Sequence, residues 1–204
     1  MKKILALLVA AFLAFTVSTP AEAANAYDTK WGTFATVSLS GSGDDVVSIP
    51  KALKAGIIRA THNGEANFIV HSLDSSMETN EYLINEIGEY QSDGAFGLGW
   101  SSKKTTGFEI QADGDWTITL LPFSKGPAFT GSGTGDGVFR ATVKSRKVMT
   151  FKHNGSANFI VHQFCTNGAT NYLINEIGSY SGRKVVSSGT CLFEVIADGD
   201  WSIK

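Results

Sequence analysis

Two cysteines and four prolines are few for 204 residues, and the net charge of −2 is close to neutral. Each shortage closes off a class. Cys165 and Cys191 allow a single disulfide. Scarce proline beside 22 glycines and 13 phenylalanines argues against a disordered tail and for β structure with many tight turns. No run of like charge is present, so nothing in the electrostatics points to nucleic acid or an anionic membrane surface. No apolar stretch after Val17 is long enough to span a bilayer. Three signatures are also missing: the Gly-x-Ser-x-Gly elbow, the His-Glu-x-x-His pair and the phosphate loop.

The apolar run at the start has its own explanation. Lys2 and Lys3 precede it, residues 4–17 form it, and Pro20 with Ala21-Glu22-Ala23 ends it. That is the order of a secretory leader, expected over residues 1–23. The run falls short of the roughly 20 residues a spanning helix needs. No cysteine follows it and no apolar tail precedes Lys204, so neither a lipid anchor nor membrane insertion is expected. The protein is predicted to be secreted and extracellular. In that compartment Cys165 and Cys191 are expected to pair.

What is present is present twice. His62-Asn63-Gly64-Glu65-Ala66-Asn67-Phe68-Ile69-Val70-His71 returns as His153-Asn154-Gly155-Ser156-Ala157-Asn158-Phe159-Ile160-Val161-His162. Tyr82-Leu83-Ile84-Asn85-Glu86-Ile87-Gly88 returns unchanged at 172–178, and Ala112-Asp113-Gly114-Asp115-Trp116 at 197–201. The unit of roughly 80 to 90 residues is large enough to fold alone. Two tandem domains are therefore expected, over 31–122 and 127–204.

Within each copy, short apolar or alternating runs recur between Gly, Asn, Asp and Ser clusters, and no amphipathic helix stands out. This predicts an all-β fold: two tandem antiparallel β-sandwiches with jelly-roll or Greek-key connections. Strands are expected near 33–39, 46–49, 56–61, 66–73, 81–87, 94–99, 106–112 and 116–121. In the second copy they are expected near 127–130, 138–143, 147–152, 157–164, 172–177, 184–187, 191–197 and 201–204. Both His-Asn-Gly and Asp-Gly-Asp read as hairpin turns. The first would set Arg59 opposite Asn67 and Ile58 opposite Phe68, and likewise Thr150 opposite Asn158 and Met149 opposite Phe159. The disulfide is an addition to the unit, since Asp74 and Thr106 hold the matching positions in the first copy. The other difference is a surplus in the first copy between Tyr90 and Phe108, read as the Gly-rich stretch 94–100.

Candidate functional residues are polar or aromatic. Asn67, Asn158, Glu86 and Glu176 interrupt apolar strands. They either tie loops to the sandwich or line a binding groove. Trp100, on the Gly-rich stretch, could stack on a sugar ring or a partner side chain. Trp116 and Trp201 begin strands and read as core. The turn histidines and strand histidines lie at opposite ends of one strand, so no metal site through His is expected. The Gly-Asp turns offer only part of a calcium shell. No cofactor is predicted, calcium being the one ion these turns suggest.

The succession Gly-x-Gly-Asp, His-x-Gly-x-x-Asn-Phe-x-Val, Leu-x-Asn-x-Ile-Gly-x-Tyr and Ala-Asp-Gly-x-Trp resembles an uncharacterised domain of secreted and lipoprotein-like proteins of Gram-positive bacteria. The resemblance covers both copies and implies an extracytoplasmic β-domain, with no activity or site attached. The expected role is a non-catalytic binding module for a glycan or cell-wall polymer. The alternatives are a protein-binding inhibitor or adhesion factor, and an envelope-associated hydrolase with an unrecognised site.

Overall fold

The structure is a computed structural model that describes residues 25–51, 53–98 and 103–204. The expected leader and Trp100 lie outside them. A short helix, α1 (Ala26–Trp31), comes first. The first copy then runs β1 (Val37–Ser42), β2 (Asp45–Ser48), β3 (Gly56–His62), β4 (Asn67–Leu73), β5 (Thr79–Ile87), β6 (Tyr90–Phe96), β7 (Gly107–Gln111) and β8 (Asp115–Leu121). One turn of 3-10 helix, Phe123–Lys125, connects it to the second copy. That copy runs β9 (Ser132–Thr134), β10 (Gly137–Val143), β11 (Lys147–His153), β12 (Asn158–Cys165), β13 (Thr170–Ile177), β14 (Tyr180–Val186), β15 (Gly189–Ala197) and β16 (Asp200–Ile203).

The first copy folds into two four-stranded sheets, β1-β8-β3-β6 and β2-β7-β4-β5. The second repeats the order, as β9-β16-β11-β14 and β10-β15-β12-β13. Neighbouring strands are antiparallel throughout. Two β-sandwiches with jelly-roll strand order are the result. Each closes on its own core. Ile58, Ala60, Phe68, Val70, Phe108, Trp116 and Ile118 fill the first. Phe151, Phe159, Val161, Phe193, Trp201 and Ile203 fill the second. Alternation explains the fit: in β8, Trp116, Ile118 and Leu120 point inward, with Thr117 and Thr119 between them less buried.

Three expectations need correction. The first strand of each copy begins later than expected, at Val37 and Ser132. The two motif turns are not hairpins. β3 pairs with β6 and β8, whereas β4 pairs with β5 and β7. Arg59 therefore lies opposite Asp93 and Thr119 rather than Asn67. The segment after His62 crosses from one sheet to the other. Asp113-Gly114 does the same between β7 and β8, and the second copy follows suit. The inward faces still come out as expected, because an arch and a hairpin can place the same alternate residues in the core. Finally, residues 94–96 belong to strand β6, which pairs with β3 as β14 pairs with β11. The surplus of the first copy therefore falls between Phe96 and Gly107.

Cys165 and Cys191 are bridged, joining register partners on β12 and β15. In the first copy the Thr106 hydroxyl donates to the Asp74 carbonyl at 2.7 Å, a hydrogen bond where the second copy has a disulfide. Among the described residues no helix is long and apolar enough to cross a membrane.

Candidate functional site

The repeated motifs meet at one end of each sandwich. His62 is buried and stacks on Phe68 with ring centres 4.7 Å apart. Its Nδ1 lies 2.9 Å from the Gly88 carbonyl. A carbonyl can only accept, so Nδ1 carries the proton. Asp113 Oδ2 accepts from the backbone N–H groups of Glu65 and Ala66 at 2.9 and 3.0 Å. Asn63 Oδ1 accepts from Asp115 N at 2.7 Å. Asp44 Oδ1 accepts from Ala112 N at 2.9 Å, and Trp116 Nε1 donates to the Gly43 carbonyl at 2.9 Å. Two sheet-crossing arches and a third turn thus clasp one another, with side chains of one pairing backbone groups of the next.

The second copy repeats the clasp group for group. His153 stacks on Phe159, Asp198 accepts from Ser156 N and Ala157 N, Asp136 accepts from Ala197 N, and Trp201 donates to Gly135. Hydrogen bonds from the facing backbone N–H groups hold the Asp113 and Asp198 carboxyls below the usual carboxylate range. The motif is therefore a structural device. Asp44, Asp113, Asp136 and Asp198 accept from backbone N–H groups, and Asp200 accepts from the Thr134 hydroxyl. Among the described residues no group of three or more His, Cys, Asp or Glu is placed to hold a metal ion.

One cleft lies where the copies join. The Tyr90 hydroxyl donates to Asp136 Oδ2 at 3.3 Å, and the Ser92 hydroxyl to the Asp136 carbonyl at 2.9 Å. Ala95 N donates to Glu194 Oε1 at 3.2 Å. Beside these contacts a cavity of about 550 Å³ is lined by Asn85, Glu86, Tyr90 and Gln91 from one copy and by Asn158 and Asp198 from the other. Partial burial, with the Asp136 and Asp198 carboxylates nearby, raises the Glu86 carboxyl above its ordinary value. Burial likewise raises Asp136. Both Asp136 oxygens already accept hydrogen bonds, from Ala197 N and Tyr90, so that residue belongs to the joint.

The predicted site residues therefore separate. Glu86 and Asn158 come together in the cleft although they belong to different copies. Asn67 lies exposed at the start of β4 opposite Ile87, and Glu176 lies exposed on β13 opposite Phe159. Neither enters the cleft. Trp116 and Trp201 are core residues, as their position after a turn suggested. Of the other lining residues, Asn85 belongs to the same polar interruption of the strand as Glu86, Asp198 to the Gly-Asp turns weighed for calcium, and Gln91 carries no signal in the sequence. Asn85 sits next to Glu86 in the repeated block, but only the docking of the copies turns it toward a partner surface.

No protein-family model matches the chain, and no curated protein matches it. Among solved structures, a regulatory subunit of a cAMP-independent protein kinase A from Trypanosoma cruzi, bound to guanosine, is similar at 8% identity. The TM-score is 0.24, over 80% of this chain and 71% of that one. A likeness of that strength carries no argument about this protein.

Proposed function

We propose that the protein is a secreted, non-catalytic binding module whose ligand is a glycan or cell-envelope polymer, held in the cleft between the two copies. The observation that carries this reading is that Glu86 and Asn158, from different copies, line one cavity of about 550 Å³. Its volume lies within the ordinary range for ligand pockets. Carboxamides and carboxylates are the side chains that can accept from and donate to the paired hydroxyls of a sugar. Ile87 and Tyr90 add apolar surface. Among the described residues none hydrogen-bonds the Glu86 side chain, which leaves it available to a ligand. The leader-like residues 1–23, the disulfide and the resemblance to extracytoplasmic domains of Gram-positive bacteria support the compartment.

The hydrolase alternative needs two carboxyl groups with distinct roles. Asp136 and Asp198 are taken up by backbone and tyrosine donors, so the cleft offers a single uncommitted acid. Isothermal titration and pull-down with purified cell-wall polymers test the binding reading. Asn158→Ala and Glu86→Gln should each weaken retention about tenfold, roughly the loss of one good hydrogen bond. Binding unchanged in both variants would place the ligand elsewhere, and a Trp100→Ala arm then examines the segment after β6.

A further inference from the structure

The joint between the copies is head-to-tail, so each of its two faces has a counterpart on the other copy that the joint does not use. The outer face of β3–β6 in the first copy packs on the outer face of β10–β15 in the second. Ile57 and Val138 are fully buried there, with Leu192 and Phe123 beside them and Ala95 packed against them. Because both copies share one topology, strand register identifies the counterparts. Ile57 opposite Ala95 corresponds to Val148 opposite Val185 on β11–β14. Val138 opposite Glu194 corresponds to Val46 opposite Glu109 on β2–β7.

Those counterparts are exposed. Val148 is 49% exposed, Val185 45% and Val46 53%, so three of the eight large hydrophobic residues exposed among the described residues are the apolar positions of the joint. Charge follows the same map. At the joint Asp93 is neutralised by Arg59 of its own sheet at 2.7 Å. It shares a small cavity with Asp136, Gly137 and Val138 of the other copy. On the open edge the position of Asp93 is Arg183 and that of Arg59 is Thr150. On the open face the positions of Asp136 and Gly137 are Asp44 and Asp45. The open face forms a groove of about 410 Å³ in which Asp44, Asp45 and Glu109 surround Val46 and His71. The open edge is thus basic and valine-bearing, and the open groove acidic and valine-bearing.

We infer that the occupant of the β2–β7 groove is the β11–β14 edge of a second copy of this chain, docked as the two halves dock within one molecule. Two observations carry this: the intrachain joint is a template for the contact, and the charges of the open surfaces are complementary. Such a contact is heterologous. Each molecule keeps one unused edge and one unused groove, so assembly runs on or closes into a ring. Tyr27 of α1 and Phe123 seal the intrachain joint, and among the described residues no such aromatic pair covers the open surfaces. The contact between molecules is therefore weaker than the one within the chain.

Sedimentation velocity on the purified protein tests this, in a concentration series reaching about 1 mM. Wild type should pass from single-chain mass to dimers and longer species, with less association at high salt. Val46→Arg spoils the groove and Val185→Asp spoils the edge, both at exposed positions where folding is unaffected. Each variant alone should need about tenfold more protein to associate. An equimolar mixture retains one good groove and one good edge, and should give dimers and nothing longer. Single-chain mass at every wild-type concentration overturns the inference, as does wild-type-like association of either variant or a symmetric dimer unaffected by both.

Discussion

The Tyr90 hydroxyl of the first copy donates to Asp136 of the second at 3.3 Å, and the same carboxylate closes the second copy's own clasp by accepting from Ala197 N at 2.8 Å. One turn residue therefore serves both the repeated scaffold and the joint. In the first copy the matching residue, Asp44, performs the scaffold role alone. Removing the donor separates the two roles. Tyr90→Phe leaves an Asp136 oxygen partly buried without its partner, at a cost of about 1–3 kcal/mol. Tyr180→Phe, at the equivalent position in the second copy, should cost far less, because no described carboxylate faces that hydroxyl. Thermal unfolding of the pair of variants checks this. Equal losses would show that the hydroxyl of Tyr90 contributes nothing to the joint.

The strand count and the duplication were legible because both are written locally, in period-two alternation and in punctuation by Gly, Asn and Asp. The crossings were not. His62-Asn63-Gly64 has the turn chemistry of a hairpin, and the same chemistry serves an arch between sheets. Only the pairing of β3 with β6 and β8 separates them, and that is a long-range fact. The cleft was half legible. Glu86 and Asn158 were marked as polar residues in apolar strands, but nothing local unites residues on different copies. Asp136 looked like ordinary Gly-Asp turn chemistry, and its partner Tyr90 is 46 residues away.

Gly64 and Gly155 are the tightest points of the two clasps. A methyl group on Gly64 would overlap the Asp113 carboxylate and the His62 ring, and one on Gly155 would overlap Asp198 and His153. Gly64→Ala and Gly155→Ala should each destabilise their own sandwich by about 1–3 kcal/mol, the usual cost of overfilling a packed site. Urea unfolding followed by Trp116 and Trp201 fluorescence reads this out. Midpoints equal to wild type in both variants would mean that the arches move apart without cost.

Reduction should act on one half of the molecule. The Cys165–Cys191 bridge closes a loop with a sequence separation of 26, which constrains the unfolded second copy by about 3.5 kcal/mol in the chain-entropy model. The first copy has a threonine hydrogen bond at that place and no exposure to reductant. Cys165→Ala with Cys191→Ala should lower the unfolding midpoint of the second sandwich and leave that of the first nearly unchanged. Hydrogen exchange resolved by copy measures the two separately. A uniform loss across both would mean that the sandwiches unfold as one unit.

The carboxylates also predict how stability depends on pH, with two opposite signs. Backbone hydrogen bonds lower Asp198 and Asp113 below the ordinary 3.8. Their contribution is complete above that value and is lost as pH falls through their folded values. Burial raises Asp136 above 3.8. The folded state therefore holds that proton more tightly than the unfolded chain, and this contribution is present below 3.8 and lost as pH rises through the raised folded value. Replacing each carboxyl by a carboxamide isolates its share. The melting temperature of wild type minus that of Asp198→Asn should rise as pH increases from about 2 to 4. The same difference for Asp136→Asn should fall as pH increases past about 4. Two difference curves of the same slope would show that the clasp and the joint do not hold their carboxyl groups in opposite environments.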